Sequence, residues 1–291
     1  MANLIQGIAL VGAGKLASFL APASAHAGFK ILEVVARDEP RSMKRAQALA
    51  RSVGALAATV SSAAVEADVL WLAVPDAEIR RAAESLAQRA AALHSQRRGP
   101  QFAFHSSGAL GSEELAPLRK LGVATASVHP LMTFVAGPQP SLSGVPFAIE
   151  GDGAAVRAAR SIVKRLGGMS FVLPARRKAA YHAWATMTSP LLVAYLVTLE
   201  EVSRAAGLNA KQARQMSLPI LNQTLENYAR LGPDGAFSGP FIRGDAETVA
   251  KHLTLLKRSP KARAVYMALA RAALDELPVK NRRKLRKLLG D

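Results

Sequence analysis

A chain of 291 residues, half of them hydrophobic and one fifth charged, is long enough to bury two compact cores, which excludes extensive disorder. The absence of cysteine removes disulfides, thiolate zinc sites and cysteine nucleophiles together. The formal charge of +17 is uneven: residues 151–291 hold 24 Lys and Arg against 10 Asp and Glu. The basic run at 280–287 reads first as a solvated face, and with no aromatic side chain in it for bases to stack on, nucleic acid is not the expected partner.

Residues 1–29 start apolar and contain Ala23-Ser24-Ala25-His26-Ala27, which imitates a leader-peptide cleavage site. A secretory leader carries its positive charge ahead of the apolar run, whereas the first cation here, Lys15, falls inside it. The uncharged stretch 183–199 contains Pro190 and is shorter than the roughly 20 apolar residues that span a bilayer. The expectation is a cytoplasmic protein with no membrane segment.

From the first residue to Pro174, short β-branched runs alternate with longer amphipathic stretches, the pattern of βα units on a mostly parallel sheet. Strands are predicted at 7–11, 31–36, 55–57, 69–74, 101–105, 124–128, 146–150 and 170–173, and helices at 15–26, 41–52, 77–93, 112–121 and 154–166. Beyond Pro174 the strand-like runs stop. Segments rich in Ala, Leu, Lys and Arg follow, punctuated by Gly207-Leu208-Asn209, Gly232-Pro233-Asp234-Gly235 and Ser259-Pro260, which predicts about five helices. One of them is expected to run from 176 to 206, apolar on most faces and therefore buried in its domain or in a dimer. The fold class is α/β: an N-terminal Rossmann domain over 1–174 with about eight strands, then an all-α domain over 175–291 that shapes the substrate site and dimerises.

The strongest local motif is Ile8-Ala9-Leu10-Val11-Gly12-Ala13-Gly14-Lys15-Leu16-Ala17, a strand entering Gly-x-Gly-x-x-Ala and then a helix. Gly12 permits the tight turn, Gly14 lets a backbone approach a diphosphate, Ala17 allows close helix packing, and the helix start through Lys15 and Leu16 faces the negative charge. The second strand closes on Arg37, followed by Asp38, with Arg41, Ser42 and Lys44 beyond. Arginine suits the 2′-phosphate of NADP and an acidic residue would suit the ribose of NAD, so NADP is favoured while Asp38 keeps NAD open.

Three corners fall at carboxyl ends of strands, where open α/β sheets bind ligands: Val74-Pro75-Asp76, His105-Ser106-Ser107-Gly108 and Val128-His129-Pro130. Val74 and Pro75 are expected beside the cofactor, Asp76 as a helix N-cap, Ser106 and Ser107 at the nicotinamide ribose or a substrate carboxylate, and His129 in the cleft. The six histidines show no His-x-x-x-His pair and no surrounding acidic cluster, so no metal is expected.

Taken together, Gly12-Ala13-Gly14, His105-Ser106-Ser107-Gly108-Ala109-Leu110, the segment from Ser127 through His129-Pro130 to Phe134, Tyr181-His182 and Gly239-Pro240-Phe241-Ile242-Arg243-Gly244-Asp245 resemble a known family. It comprises two-domain Rossmann-like oxidoreductases with a helical C-terminal domain catalogued as of unknown function. They are related to pyrroline-5-carboxylate reductases and include a variant ketopantoate reductase. The resemblance implies a nicotinamide cofactor, a homodimer through the helical domain, a cleft between domains and a small anionic substrate. Ser189-Pro190 stands where the family pattern suggests Ser-Asn. Reductases of this plan place a lysine where Lys178 stands, which implies Lys178 as general acid and His182, one turn on, as an orienting group or alternate acid, with Ser189 further along the same stripe. Arg243 is a candidate for a substrate carboxylate and Asp245 for a helix cap. Two other readings stay open: an imine reductase, and a silent dinucleotide sensor with a basic tail.

Overall fold

The computed structural model describes residues 5–93, 99–135 and 141–290. In chain order, β1 (Gly7–Val11) leads into α1 (Lys15–His26), β2 (Lys30–Ala36) into α2 (Pro40–Val53), and β3 (Leu56–Thr59) into β4 (Val69–Leu72) and α3 (Ile79–Leu93). Then come β5 (Phe102–His105), α4 (Ala116–Arg119), β6 (Ala124–Pro130), β7 (Pro146–Gly151), α5 (Gly153–Arg165) and β8 (Met169–Val172). The strands form one sheet in the order β3-β2-β1-β4-β5-β6-β7-β8. All neighbours are parallel except β6 and β7.

Every predicted strand is present, its ends displaced by no more than two residues. The β1 and β4 sequences are apolar throughout because both faces of the sheet are covered. Ile8 and Leu10 point into the core shared with α1, α2 and α5; Ala9 and Val11 point the other way, toward Ile79, Leu86 and Leu118. The predicted helix at 112–121 is instead a 3₁₀ turn (Ser112–Leu115) followed by the four-residue α4, because Pro117 sits in its first turn. From β1 the chain winds outward to β2 and β3, then crosses back to β4 on the opposite side of β1. The carboxyl ends of β1 and β4 are therefore where the winding reverses, which is where doubly wound sheets open a crevice.

By packing, the chain divides into Met1–Thr186 and Met187–Asp291. The boundary drawn from sequence at Pro174 thus precedes the packing boundary, because the first turns of α6 (Lys178–Thr188) are tied to the sheet by Lys178 and Tyr181. The remaining helices are α7 (Pro190–Arg204), α8 (Ala210–Ala236), α9 (Pro240–Arg243), α10 (Ala246–Leu255), α11 (Pro260–Glu276) and α12 (Arg282–Leu289). The single helix expected over 176–206 is broken. Ser189 leaves helical geometry (φ −126°, ψ −76°) and Pro190 starts α7, as the missing N–H and the strain on the preceding residue require. The break expected at Gly232-Pro233 occurs inside α8, where Gly232 takes φ 72°.

The core of the second unit comes from α10, α11 and α12, with Val249, Leu253, Leu274, Leu285 and Leu289 at its centre. Of the two burials expected for this stretch, burial within its own domain does not occur: α7 buries no residue within the chain, and α8 buries only Ala213. The terminal basic run forms α12, which turns Leu285 and Leu289 inward and its cations outward. No described helix is long and apolar enough to cross a membrane.

Candidate active site

The crevice at β1 and β4 holds a cavity of about 560 Å³. Gly12, Ala13 and Gly14 line it, as do Arg37, Val74 and Pro75, so these six predicted residues come together; Lys15 and Leu16 follow at the start of α1 and are not among its walls. The two glycines are needed for different reasons. Gly12 has φ 108°, and a Cβ there would meet the Ala73 carbonyl oxygen at 2.5 Å, so the turn itself demands glycine. Gly14 has no such internal reason: the nearest atom to an added Cβ is 4.0 Å away. Its missing side chain leaves the helix start open on the cavity, and no side chain caps the first N–H groups of α1. This is a cradle with an unfilled side facing an unneutralised helix start, and it fits a diphosphate.

Three guanidinium groups also line the cavity. Arg37, at the end of β2, is exposed and 3.5 Å from Glu39, which also accepts a hydrogen bond from Ser42 Oγ. Of the neighbours singled out by sequence, Ser42 and Asp38 reach the cavity whereas Arg41 and Lys44 do not; α2 turns Arg45 inward instead, one turn beyond Ser42. Arg81, from α3, completes the set. Neither Arg45 nor Arg81 was legible from the sequence.

A second cluster occupies the carboxyl ends of β5 and β6 and the first turns of α6, all within the first unit. Lys178 is 3 % exposed, its ammonium donating to Ser127 Oγ at 2.6 Å and to the Ser107 carbonyl at 3.1 Å. Arg176 and Arg177, which precede it, are exposed. Ser127 Oγ donates in turn to the Ser107 carbonyl. The Ser107 hydroxyl is consumed inside its own loop, donating to Asp76 Oδ2 at 2.7 Å and accepting from the N–H groups of Ala109 and Leu110. Ser106 Oγ accepts from Trp71 Nε1. Neither serine lines the cavity, and Asp76 is not the N-cap expected of it: Pro75 holds that position, and the Asp76 carboxylate fastens the Ser107 loop.

Three histidines converge here. His105 is wholly buried; its Nδ1 accepts from the Ser107 N–H, so Nε2 carries the proton and donates to the Gly111 carbonyl at 2.8 Å. His129 Nδ1 lies 2.7 Å from the Tyr181 hydroxyl, and His182 meets the edge of the His129 ring at a centroid separation of 6.3 Å. Gly108 is the floor beneath them: a Cβ there would come within 2.7 Å of His182 and 2.9 Å of His129. Burial pushes His105 down to about 4, and burial together with the nearby Lys178 does the same for His129. Both are therefore neutral at pH 7. Burial also lowers the Lys178 ammonium and raises the Tyr181 phenol to about 12. Among the described residues no group of three or more His, Asp or Glu is placed to hold a metal ion.

Ser189 and Arg243 belong to the second unit. Ser189 lies in the break between α6 and α7, so it does not continue the stripe of Lys178 and His182. Arg243 ends α9, and Asp245 caps α10 as expected, accepting from the N–H and hydroxyl of Thr248. Sequence reasoning did not assign a role to Tyr181, although the Tyr181-His182 pair was noticed; its partner lies 52 residues away.

Comparison with known proteins agrees with this layout. Residues 2–130 match the model of a Rossmann-like domain, and residues 145–273 match that of a domain of unknown function, DUF2520. No curated protein matches the chain. Solved structures with the same fold include a candidate NADP oxidoreductase of Bacteroides fragilis, 22 % identical, with a TM-score of 0.73 over 92 % of this chain and 97 % of that one. An imine reductase of Myxococcus stipitatus in complex with NADP+ is 16 % identical, with a TM-score of 0.66 over 97 % and 99 % of the two chains. A pyrroline-5-carboxylate reductase of Coxiella burnetii is 15 % identical, with a TM-score of 0.59 over 92 % and 98 %.

Proposed function

This chain joins a Rossmann-like domain to a DUF2520 domain, and on that premise we propose that it is an NADP-dependent reductase of a small, anionic keto or imino acid. The observation that carries the reading is the open side of Gly14 beside the uncapped start of α1, in a cavity that Arg37, Arg45 and Arg81 also line. The N–H groups from Gly14 to Leu16 would hold the diphosphate, and the three guanidinium groups would hold the 2′-phosphate that distinguishes NADP from NAD. Val74 and Pro75 line the same cavity, and Ser106, just beyond β5, is proposed to reach the nicotinamide ribose. Ser107 shapes the loop rather than offering its hydroxyl, which is already spent.

The cofactor, when bound, supplies a hydride to an electron-poor carbon. The protein must then supply a polar group at the heteroatom, and Lys178, His182 and His129 are the groups we assign. Lys178 is proposed as the proton source, since its lowered pKa eases release, and His182 as an orienting group. Ser189 and Arg243 are proposed to contact the substrate carboxylate. Ketopantoate is the first substrate to try, and 1-pyrroline-5-carboxylate represents the imine alternative. A cytoplasmic location belongs to the same proposal.

A homodimer through the second unit is part of the same proposal. Leu191, Val193, Val197, Met216, Ile220 and Leu225 on α7 and α8 are each more than half exposed, an apolar extent that a lone soluble chain rarely leaves in water. Titration with NADPH and NADH, followed by NADPH oxidation with the two substrates, tests the reading. Saturable NADPH binding and turnover support it; no binding at millimolar NADPH removes it.

A further inference from the structure

Tyr181 and His129 form a pair whose geometry fixes where one proton sits. The phenol is 7 % exposed and 2.7 Å from His129 Nδ1. The protonated phenol has no other hydrogen-bond partner among the described residues, so we assign its O–H as the donor and the Nδ1 lone pair as the acceptor. A neutral imidazole whose Nδ1 accepts must carry its hydrogen on Nε2.

That Nε2 makes no hydrogen bond among the described residues, and it is not sealed off as a buried unpartnered atom. Residue 108 must be glycine for the ring to sit here, since a Cβ there would stand 2.9 Å from Nε2. Other polar groups of the cluster already have protein partners: Lys178 has Ser107 and Ser127, Asp76 has Ser107, and His105 has Gly111 and Ser107. The His129 Nε2–H is thus a donor with no protein acceptor among the described residues.

We propose that His129 donates this hydrogen bond to the carbonyl oxygen of a keto substrate, and that Tyr181 is the positioning residue that fixes the donating tautomer. The inference rests on the reductase reading and narrows it. A neutral N–H pairs with an oxygen lone pair and gains strength as negative charge develops there during reduction. An iminium nitrogen has no lone pair to accept it, and the Lys178 ammonium disfavours a second cation nearby. His129 keeps its Nε2 hydrogen throughout, so the proposal itself transfers no proton. The charged and titratable groups facing the ring are Lys178 and His182 from α6, Asp76 from the turn after β4 and His105 from β5.

Two experiments test it. In ¹⁵N-labelled protein at pH 7, imidazole NMR is expected to show His129 neutral with hydrogen on Nε2, and Tyr181→Phe is expected to mix the tautomers. Hydrogen on Nδ1 in the wild type, or an unchanged tautomer in the variant, overturns the role of Tyr181. In turnover with NADPH, ketopantoate is expected to be reduced and 1-pyrroline-5-carboxylate not. His129→Ala should lower kcat by about 100-fold or more, with NADPH affinity within about twofold of wild type. Tyr181→Phe should lower kcat by roughly 10- to 100-fold with KM little changed. His129→Gln, which retains an N–H donor, should recover part of the loss and replaces Tyr181→Phe should that variant fold poorly. Turnover of the imine alone, an undiminished rate in His129→Ala, or NADPH binding with no turnover of ketopantoate overturns the carbonyl assignment. Failure to bind NADPH instead removes the reductase reading, and the NMR result still decides the pairing.

Discussion

The Lys178 ammonium rests 2.6 Å from Ser127 Oγ, joining the first turn of α6 to the end of β6. This bond, with the one to the Ser107 carbonyl, sets the position of the β5 loop and of the Tyr181-His182 turn that follows on the helix. A lysine only 3 % exposed persists there because its donors find oxygen acceptors and because Glu150, Glu113 and Asp76 oppose the burial penalty. Replacing Lys178 with Met keeps the bulk and removes the donor. Thermal unfolding without ligand should show a loss of about 1–3 kcal/mol, from the two charge-assisted hydrogen bonds that the ammonium makes. An unchanged midpoint would mean that this bond holds nothing in place.

Gly12→Ala and Gly14→Ala should separate stability from binding. At Gly12 a Cβ collides with the Ala73 carbonyl in a backbone conformation that disfavours side chains, so the variant should lose roughly 1–3 kcal/mol and bind NADPH poorly. At Gly14 the methyl enters open space. Stability should stay within about 0.5 kcal/mol of wild type while NADPH affinity falls by about tenfold or more. Denaturant titration paired with calorimetry reads both, and a Gly14→Ala variant that binds NADPH normally would argue against a diphosphate at this turn.

Acid should weaken the fold between about pH 6.5 and 4. His105 is neutral in the folded protein down to about 4, whereas the unfolded chain takes up a proton near 6.5. The unfolded state therefore binds more protons in that window, and stability falls as the pH is lowered through it, with no further loss from this group below about 4. The contribution of His105 reaches about 3 kcal/mol. Its replacement by Gln should flatten the slope of stability against pH over this window, as measured by urea unfolding at closely spaced pH values. An equally steep slope in the variant would assign the effect elsewhere.

The exposed apolar face of α7 and α8 predicts a dimer that charge can split. Val197 and Ile220 are 59 % and 68 % exposed. Val197→Glu together with Ile220→Lys should shift sedimentation from dimer to monomer without unfolding the first unit. A wild-type protein that sediments as a monomer at micromolar concentration contradicts this assignment.

Much of the first unit was legible in the sequence because local rules and tertiary demands agree there. The β1 and β4 runs are apolar throughout, and a sheet covered on both faces needs such runs. Gly12 and Gly14 mark the turn directly. What escaped was long-range or overridden. Arg45 and Arg81 reach one cavity from two different helices, and no spacing in the chain announces that. The His129 to Tyr181 bond spans 52 residues and depends on how α6 lies on the sheet. The helix expected through 176–206 failed at Ser189, where a proline already visible outweighed a long apolar run. The expected burial of α7 came from counting apolar residues, which cannot say whether the covering surface lies within the chain.

Cofactor choice follows from Arg37. Arg37→Asp removes a guanidinium from the end of β2 and adds a carboxylate beside Asp38 and Glu39. NADPH affinity should fall by about tenfold or more, while NADH affinity changes by less than about threefold. Competition between the two dinucleotides against a fluorescent NADPH signal measures the ratio. Equal losses would place the 2′-phosphate away from Arg37.

The most direct measurement is calorimetric titration of the unmodified protein with NADPH. The account predicts saturable binding, one dinucleotide per chain, at least about tenfold tighter than NADH. No detectable heat and no saturation at millimolar NADPH would contradict it, leaving a Rossmann-like sheet whose glycine turn grips nothing.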